Sequence, residues 1–180
     1  MRKNISDQIE IPNGVSCVFE GRKLIAKKGA DTVERYFNLP SINFLVQDNK
    51  IIISSKKGNK IDGKNIKTSI AHIENMFFGL ENKFVFKLEA CNVHFPMTLK
   101  IENGYLLINN FLGEKIPRKA KILAGVEVDL KGQKLTVSSR DIEAAGATAT
   151  NMEKATKVKN RDRRVFQDGI FIVEKPGAAQ

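Results

Sequence analysis

A chain of 180 residues, 42% of them apolar, can build a real core in one domain or two small ones, which excludes a disordered chain. Thirty Lys and Arg against 20 Asp and Glu give a net charge of +10, which points to a polyanionic partner, nucleic acid first. The apolar runs 51–53 and 76–80 are too short to span a bilayer, and the opening MRKNISDQIEIP lacks the apolar region of a secretory signal, so a cytosolic protein with no membrane partner is expected. Cys17 and Cys91 lack metal-ligand spacing, and each reads as a small buried hydrophobe. With only His72 and His94 to add, neither a metal nor another cofactor is expected.

In chain order, Ile9 and Ile11, then Val15, Cys17 and Phe19, then Leu24 and Ala26 alternate with polar residues, as half-buried strands do. Turns at Pro12-Asn13-Gly14 and Glu20-Gly21-Arg22 separate them. Residues 29–40 read as a looser polar stretch leading to a hairpin, with arms 42–46 and 51–55 turned at Asp48-Asn49. The apolar period then changes. Between Gly63 and Gly79, Ile66, Ile70, Ile73 and Phe77 recur at helical spacing, and Gly79 supplies a stop.

The pattern then repeats. Asn49-Lys50-Ile51-Ile52-Ile53-Ser54-Ser55 aligns with Gln133-Lys134-Leu135-Thr136-Val137-Ser138-Ser139, 84 residues on. Phe19-Glu20, a glycine turn and Leu24-Ile25-Ala26 likewise resemble Ile101-Glu102, Asn103-Gly104 and Leu106-Leu107-Ile108, 82 residues on. The serines of the first pair sit at strand ends before helix entry and are expected to cap. The second helix begins after Asp141, a good N-cap, and carries Ile142, Ala145, Ala149 and Met152 on one face. Gly146 inside it costs about 1 kcal/mol relative to Ala, which marks close packing on a sheet. Residues 84–95 open the second half as its first strand. The expected architecture is α+β, with two tandem duplicated domains, 1–82 and 83–180, each a small antiparallel sheet packed on one helix.

Only the second half continues past its helix into a basic tail. Six of the residues 154–164 are basic (Lys154, Lys157, Lys159, Arg161, Arg163, Arg164) and only Asp162 is acidic, a density suited to a row of phosphates. Lys115, Arg118, Lys119 and Lys121 form a second basic group, with Pro117 keeping their loop from becoming helix. Phe111 and Phe166 could stack on unpaired bases, but beside apolar strands core packing is the simpler reading. No catalytic constellation emerges. Glu114 and Asp168 flank glycines, yet Lys115 and Arg164 nearby favour ion pairing over acid–base work, and His94 reads as a packed, hydrogen-bonded histidine. Gly58 and Gly63-Lys64 meet the spacing of a phosphate-binding loop, so a nucleotide hydrolase using Lys64 is one alternative. Asn65 stands where a hydroxyl should hold magnesium, Asp62 would set a carboxylate beside the phosphates, and the preceding strand looks antiparallel. A polar strand-to-helix connection fits better.

Three motifs carry a resemblance. His94-Phe95-Pro96-Met97, Asn110-Phe111-Leu112-Gly113-Glu114-Lys115, and Val158-Lys159-Asn160-Arg161-Asp162 with Arg164, Phe166 and Asp168-Gly169-Ile170 resemble the sixth-protein family of the large ribosomal subunit, in its archaeal and eukaryotic form. The similarity runs from about Ile9 to Lys175. It implies a non-enzymatic constituent of the large subunit that binds its rRNA near the sarcin-ricin loop and the stalk base, mainly through the second domain. Neighbouring large-subunit and stalk-base proteins and, transiently, translation factors are the implied partners, in the cytoplasm. Residue by residue, the resemblance implies RNA contact for Lys115, Lys159, Arg161 and Arg164, and a backbone-shaping role for Asn110, Gly113, Asn160, Asp168 and Gly169. The basic runs add Arg118, Lys119, Lys121, Lys157 and Arg163 to the RNA-binding set. Arg163, Val165 and Phe171 depart from the family, where an apolar residue, a basic residue and a tyrosine are common. Neutralising about six phosphates predicts a log–log salt slope of order −5. A free-standing basic RNA-binding module is the other reading.

Overall fold

A computed structural model describes residues 3–47 and 49–177, which divide into two compact units between Asn82 and Lys83. In the first unit, β1 (Lys3–Glu10), β6 (Lys50–Gly58) and β5 (Asn43–Gln47) form one antiparallel sheet in the order β1-β6-β5. A second, β2-β3-β4, is built from Ser16–Glu20, Lys23–Lys28 and Asp31–Tyr36. Helix α1 (Lys60–Glu81) lies on their apolar faces: Ile66, Ile73, Met76 and Phe77 share a core with Leu24, Ala26, Ile51 and Ile53.

The second unit repeats this order. Strands β7 (Phe84–Cys91), β12 (Lys134–Ser139) and β11 (Glu127–Lys131) correspond to β1, β6 and β5. Strands β8 (Thr98–Glu102), β9 (Tyr105–Asn109) and β10 (Arg118–Lys121) correspond to β2, β3 and β4, and α2 (Ile142–Ala155) to α1. One strand has no counterpart: β13 (Gly169–Glu174) pairs with the outer edge of β7, giving the order β11-β12-β7-β13. This added strand returns the basic tail to the sheet. Leu135, Val137, Ala145, Ala149 and Met152 are fully buried, as the period-2 and period-3.6 patterns require.

The helices begin where local chemistry satisfies their first amides. Asp141 caps α2, its carboxylate accepting from the Glu143 amide at 2.9 Å. Helix α1 starts ahead of Gly63 because Asn59 caps it, accepting from the Ile61 and Asp62 amides at 2.7 and 2.9 Å, while Asp62 accepts from the Asn59 amide at 2.9 Å. Asp62 also accepts from the Ser41 hydroxyl at 2.7 Å and is buried. The phosphate-loop reading fails here: the amides a phosphate would use are occupied and the preceding strand is antiparallel. The first of the two glycines has a packing role: a Cβ at Gly58 would lie 2.8 Å from the Ile5 Cδ1 of β1, whereas one at Gly63 would make an ordinary contact with the same atom at 3.7 Å.

Several expectations need correcting. Residues 29–40 contain β4, hidden because Asp31 and Arg35 alternate inward with Val33 and Arg35 lies 3.1 Å from the His72 ring on α1. Gly79 is buried inside α1, which runs on so that Leu80 joins the core. Strand β7 ends at Cys91 and not Phe95, and Cys91 is exposed; Cys17 is half-buried, and burial pushes its thiol up to about 11. Ser54 and Ser55 lie inside β6 opposite β1, and only Ser139 meets a helix start, accepting from the Asp141 amide at 3.2 Å. Asp48 of the hairpin turn lies outside the described residues, while Asn49 takes φ 65°.

Gly146 behaves as its place in the helix predicts. A Cβ there would stand 3.3 Å from the Phe86 Cζ on β7. Gly146→Leu is therefore expected to overpack this contact and cost about 1–3 kcal/mol, read as a lower urea midpoint at unchanged m-value.

Candidate nucleic-acid interface

The tail is organised by a buried carboxylate. Asp168, only 2% exposed, accepts from the Val93 amide at 2.8 Å, the His94 amide at 3.0 Å and the His94 Nδ1 at 2.6 Å. These bonds draw residues 92–94 away from the sheet and account for the early end of β7. Burial alone would raise the Asp168 pKa. The hydrogen bonds from His94 and Val93 outweigh it, and the carboxyl is held below its ordinary value. Next to it, Gly169 takes φ +157°, where L side chains rarely go, and a Cβ would come within 3.2 Å of the Phe171 ring. The Ile170 amide then donates to the Thr156 hydroxyl at 2.8 Å, pinning the start of β13 to the end of α2.

Between those two anchors the chain makes a tight basic turn. Asn160 adopts the left-handed region at φ 57°. Asp162 accepts from the Arg164 amide at 3.0 Å and its Nη2 at 3.1 Å, which lowers the Asp162 pKa. Phe166 stacks on His94, ring centroids 4.6 Å apart, and the Arg161 guanidinium lies 4.7 Å from the Phe166 ring. A chain of contacts thus runs from the buried Asp168 through His94 and Phe166 to Arg161. Lys157, Lys159, Arg161, Arg163 and Arg164 are all exposed.

The segment that carries the second basic group is tied to the end of α2 by Arg118. Asn110 (φ 59°) and Gly113 (φ 80°) close a turn over 110–113, with the Asn110 side-chain Nδ2 donating to the Pro96 carbonyl at 3.1 Å. Phe111 is fully buried beneath the Arg118 guanidinium, 4.3 Å from its ring. That guanidinium donates to Glu114 at 2.8 and 2.5 Å, to the Ala155 carbonyl at 2.9 Å and to the Lys157 carbonyl at 3.4 Å. It therefore clamps the 110–115 turn to the end of α2, with its donors directed inward. Residues 118–121 form a strand and not a loop: Ala120 faces the core, and Lys119 and Lys121 face out. Lys115 is exposed in the linking segment.

The expected ion pairs are exchanged for others. Glu114 pairs with Arg118 and not Lys115, Asp168 with His94 and not Arg164, and Arg164 with Asp162. Phe111 is core, and Phe166 is already engaged by a ring and a guanidinium. Lys154, present in the basic run but absent from the candidate set, lines a groove of about 920 Å³ together with Lys157, Arg163, Arg164 and Phe171. Its place in the last turn of α2, beside the basic tail, is the signal that finds it. Arg118→Ala is expected to cost about 2 kcal/mol in denaturant unfolding, with little rescue by Lys, which lacks the planar fork.

The family model described as Ribosomal protein L6 matches residues 95–169, which hold the 110–113 turn, α2 and the basic tail. Over 173 residues the chain is 41% identical to the large ribosomal subunit protein uL6 of Methanococcus vannielii, covering 96% of this chain and 95% of that one. Over 175 residues it is 40% identical to the large ribosomal subunit protein uL6 of Methanosarcina mazei, covering 97% and 99%.

Proposed function

This chain belongs to the ribosomal protein L6 family, structural and non-enzymatic constituents of the large ribosomal subunit, and from that premise we propose that it binds large-subunit rRNA near the sarcin-ricin loop and the stalk base. The observation that supports this reading is the Arg118 clamp, which ties the turn at Glu114 to the carbonyls at 155 and 157, where the basic tail begins. Lys115, Lys119, Lys121, Lys157, Lys159, Arg161, Arg163 and Arg164 present cations to the phosphates, Lys154 adds another, and Arg118 holds them in place. Asn110, Gly113, Asn160, Asp168 and Gly169 set the backbone from which they project. Lysines serve as point charges, while the arginine forks suit a phosphate pair. In this position the protein lies beside stalk-base proteins and meets translation factors transiently.

The test is binding of the whole chain to the large-subunit RNA fragment carrying the sarcin-ricin region, beside a scrambled duplex, over a salt series. Preference for the cognate fragment that persists as salt rises, with co-migration with large subunits through a high-salt gradient, is the expected result. Equal binding of both RNAs, with release at moderate salt, would overturn it in favour of a free-standing basic module.

A further inference from the structure

The first unit carries a cationic surface that the interface above does not use. Residues 56–73 hold five lysines, Lys56, Lys57, Lys60, Lys64 and Lys67, against one carboxylate, Asp62. Asp62 is buried in the capping box of α1 and engaged by Ser41, so it does not offset them at the surface. Lys60, Lys64 and Lys67 are spaced i, i+4, i+7, which puts them on one exposed stripe, about 6 and 10 Å along the helix axis from the first. Pairing with β6 and the close packing of Ile5 on Gly58 fix where β1 lies, and Lys3 opposes Gly58 in the sheet register. Lys3, Lys60, Lys64 and Lys67 consequently line one open groove of about 690 Å³ between β1 and the start of α1. Asp7 also lines it, the one acidic side chain that does so among the described residues. All six lysines are exposed, and among the described residues none of them makes an ion pair.

We propose that this lysine face is a second phosphate-binding surface, taking the backbone of an RNA helix through charge alone. Among the described residues lysine is the only cation that lines the groove, and no aromatic side chain does. That composition suits sequence-independent contact with phosphates and offers neither base stacking nor a bidentate fork. The choice of RNA as the polyanion rests on the ribosomal reading; the existence of the face does not. The near-match to a phosphate-binding loop thus marks a basic helix start whose amides are capped, and whose side chains meet the anions.

The test uses the full chain and protein-free large-subunit rRNA. Lys60→Gln/Lys64→Gln/Lys67→Gln is expected to reduce the steepness of the log–log salt dependence by about 2–3 units while binding persists through the second unit. All three side chains are exposed, so the thermal midpoint should hold; if it does not, Lys3→Gln/Lys64→Gln is the second variant, with a reduction of about 1–2 units. In assembled large subunits, acetylation of these lysines should be suppressed relative to the free protein, and restored by ribonuclease. An unchanged salt slope, or protection that survives ribonuclease and so reports an acidic protein partner, would overturn the lysine face alone. Failure of the wild-type chain to bind rRNA would overturn the ribosomal RNA reading and this surface with it.

Discussion

Asp168→Ala is expected to destabilise the second unit by about 3 kcal/mol and lower its thermal midpoint by at least ~10 °C. The size follows from what the carboxylate holds. Three donors, the amides of Val93 and His94 and the His94 ring, converge on a side chain 2% exposed, and water has little access to replace it. Asp168→Asn keeps an acceptor but no charge, so a smaller loss is expected. The two variants also separate by pH. Because the folded carboxyl is held below its ordinary value, its stabilisation is complete above the unfolded pKa, about 3.9, and fades as pH falls through the lower folded one. The stability gap between wild type and Asp168→Asn should therefore narrow in acid below about pH 4. A gap independent of pH would show that the charge contributes nothing. RNA affinity provides a second readout, since His94 supports Phe166 and Phe166 supports Arg161.

What could be read in the sequence was what has a period or a local partner. The duplication, the Asp141 cap, the hairpin of β8 and β9 and the need for Gly146 against the sheet all lie in short-range patterns, and the structure has each of them. Strand β4 was illegible because its inward positions include Asp31 and Arg35, and Arg35 is met there by His72 of α1, a partner 37 residues away. Cys91 was misread for a different reason. Phe84, Phe86, Leu88 and Ala90 are the inward residues of β7, so period 2 alone places Cys91 outward, where composition had suggested burial. The site was legible as a cluster of charge but not as geometry. Glu114, four residues before it, is the one local partner of Arg118; the carbonyls at 155 and 157 that it also holds lie nearly forty residues away and leave no local mark. Asp168 is likewise 74 and 75 residues from the amides it accepts. Long-range polar anchors have no sequence period, and they are what shapes this surface.

Replacing the tail cations together, Lys159→Gln/Arg161→Gln/Arg163→Gln/Arg164→Gln, is expected to weaken binding to large-subunit rRNA by about 10³-fold at 0.1 M salt. At that concentration each released counterion contributes roughly 0.7–0.9 log units relative to 1 M, so four give about three. The internal contacts of these side chains take little from that figure. The Arg164 pair with Asp162 is solvent-exposed, the Arg164 side chain 90% so, and pairs of this kind are worth at most about 1 kcal/mol, so a phosphate can displace the carboxylate. Arg161 can keep its face on Phe166 while its edge meets an anion. Stability should fall by no more than about 1–2 kcal/mol, the exposed Arg164–Asp162 pair and the Arg161–Phe166 contact being what is lost. The salt series distinguishes charge from geometry: wild type and variant should converge toward 1 M if the loss is counterion release. Arg161→Lys/Arg163→Lys/Arg164→Lys keeps the charge, so its slope should match wild type while its affinity falls by whatever the planar forks add. Lys100→Gln/Lys134→Gln, exposed but outside the two basic segments, should leave both slope and affinity near wild type. A quadruple variant with the wild-type slope would mean that the tail faces something other than phosphate, and the second unit's RNA surface would then have to be sought on Lys115, Lys119, Lys121, Lys154 and Lys157.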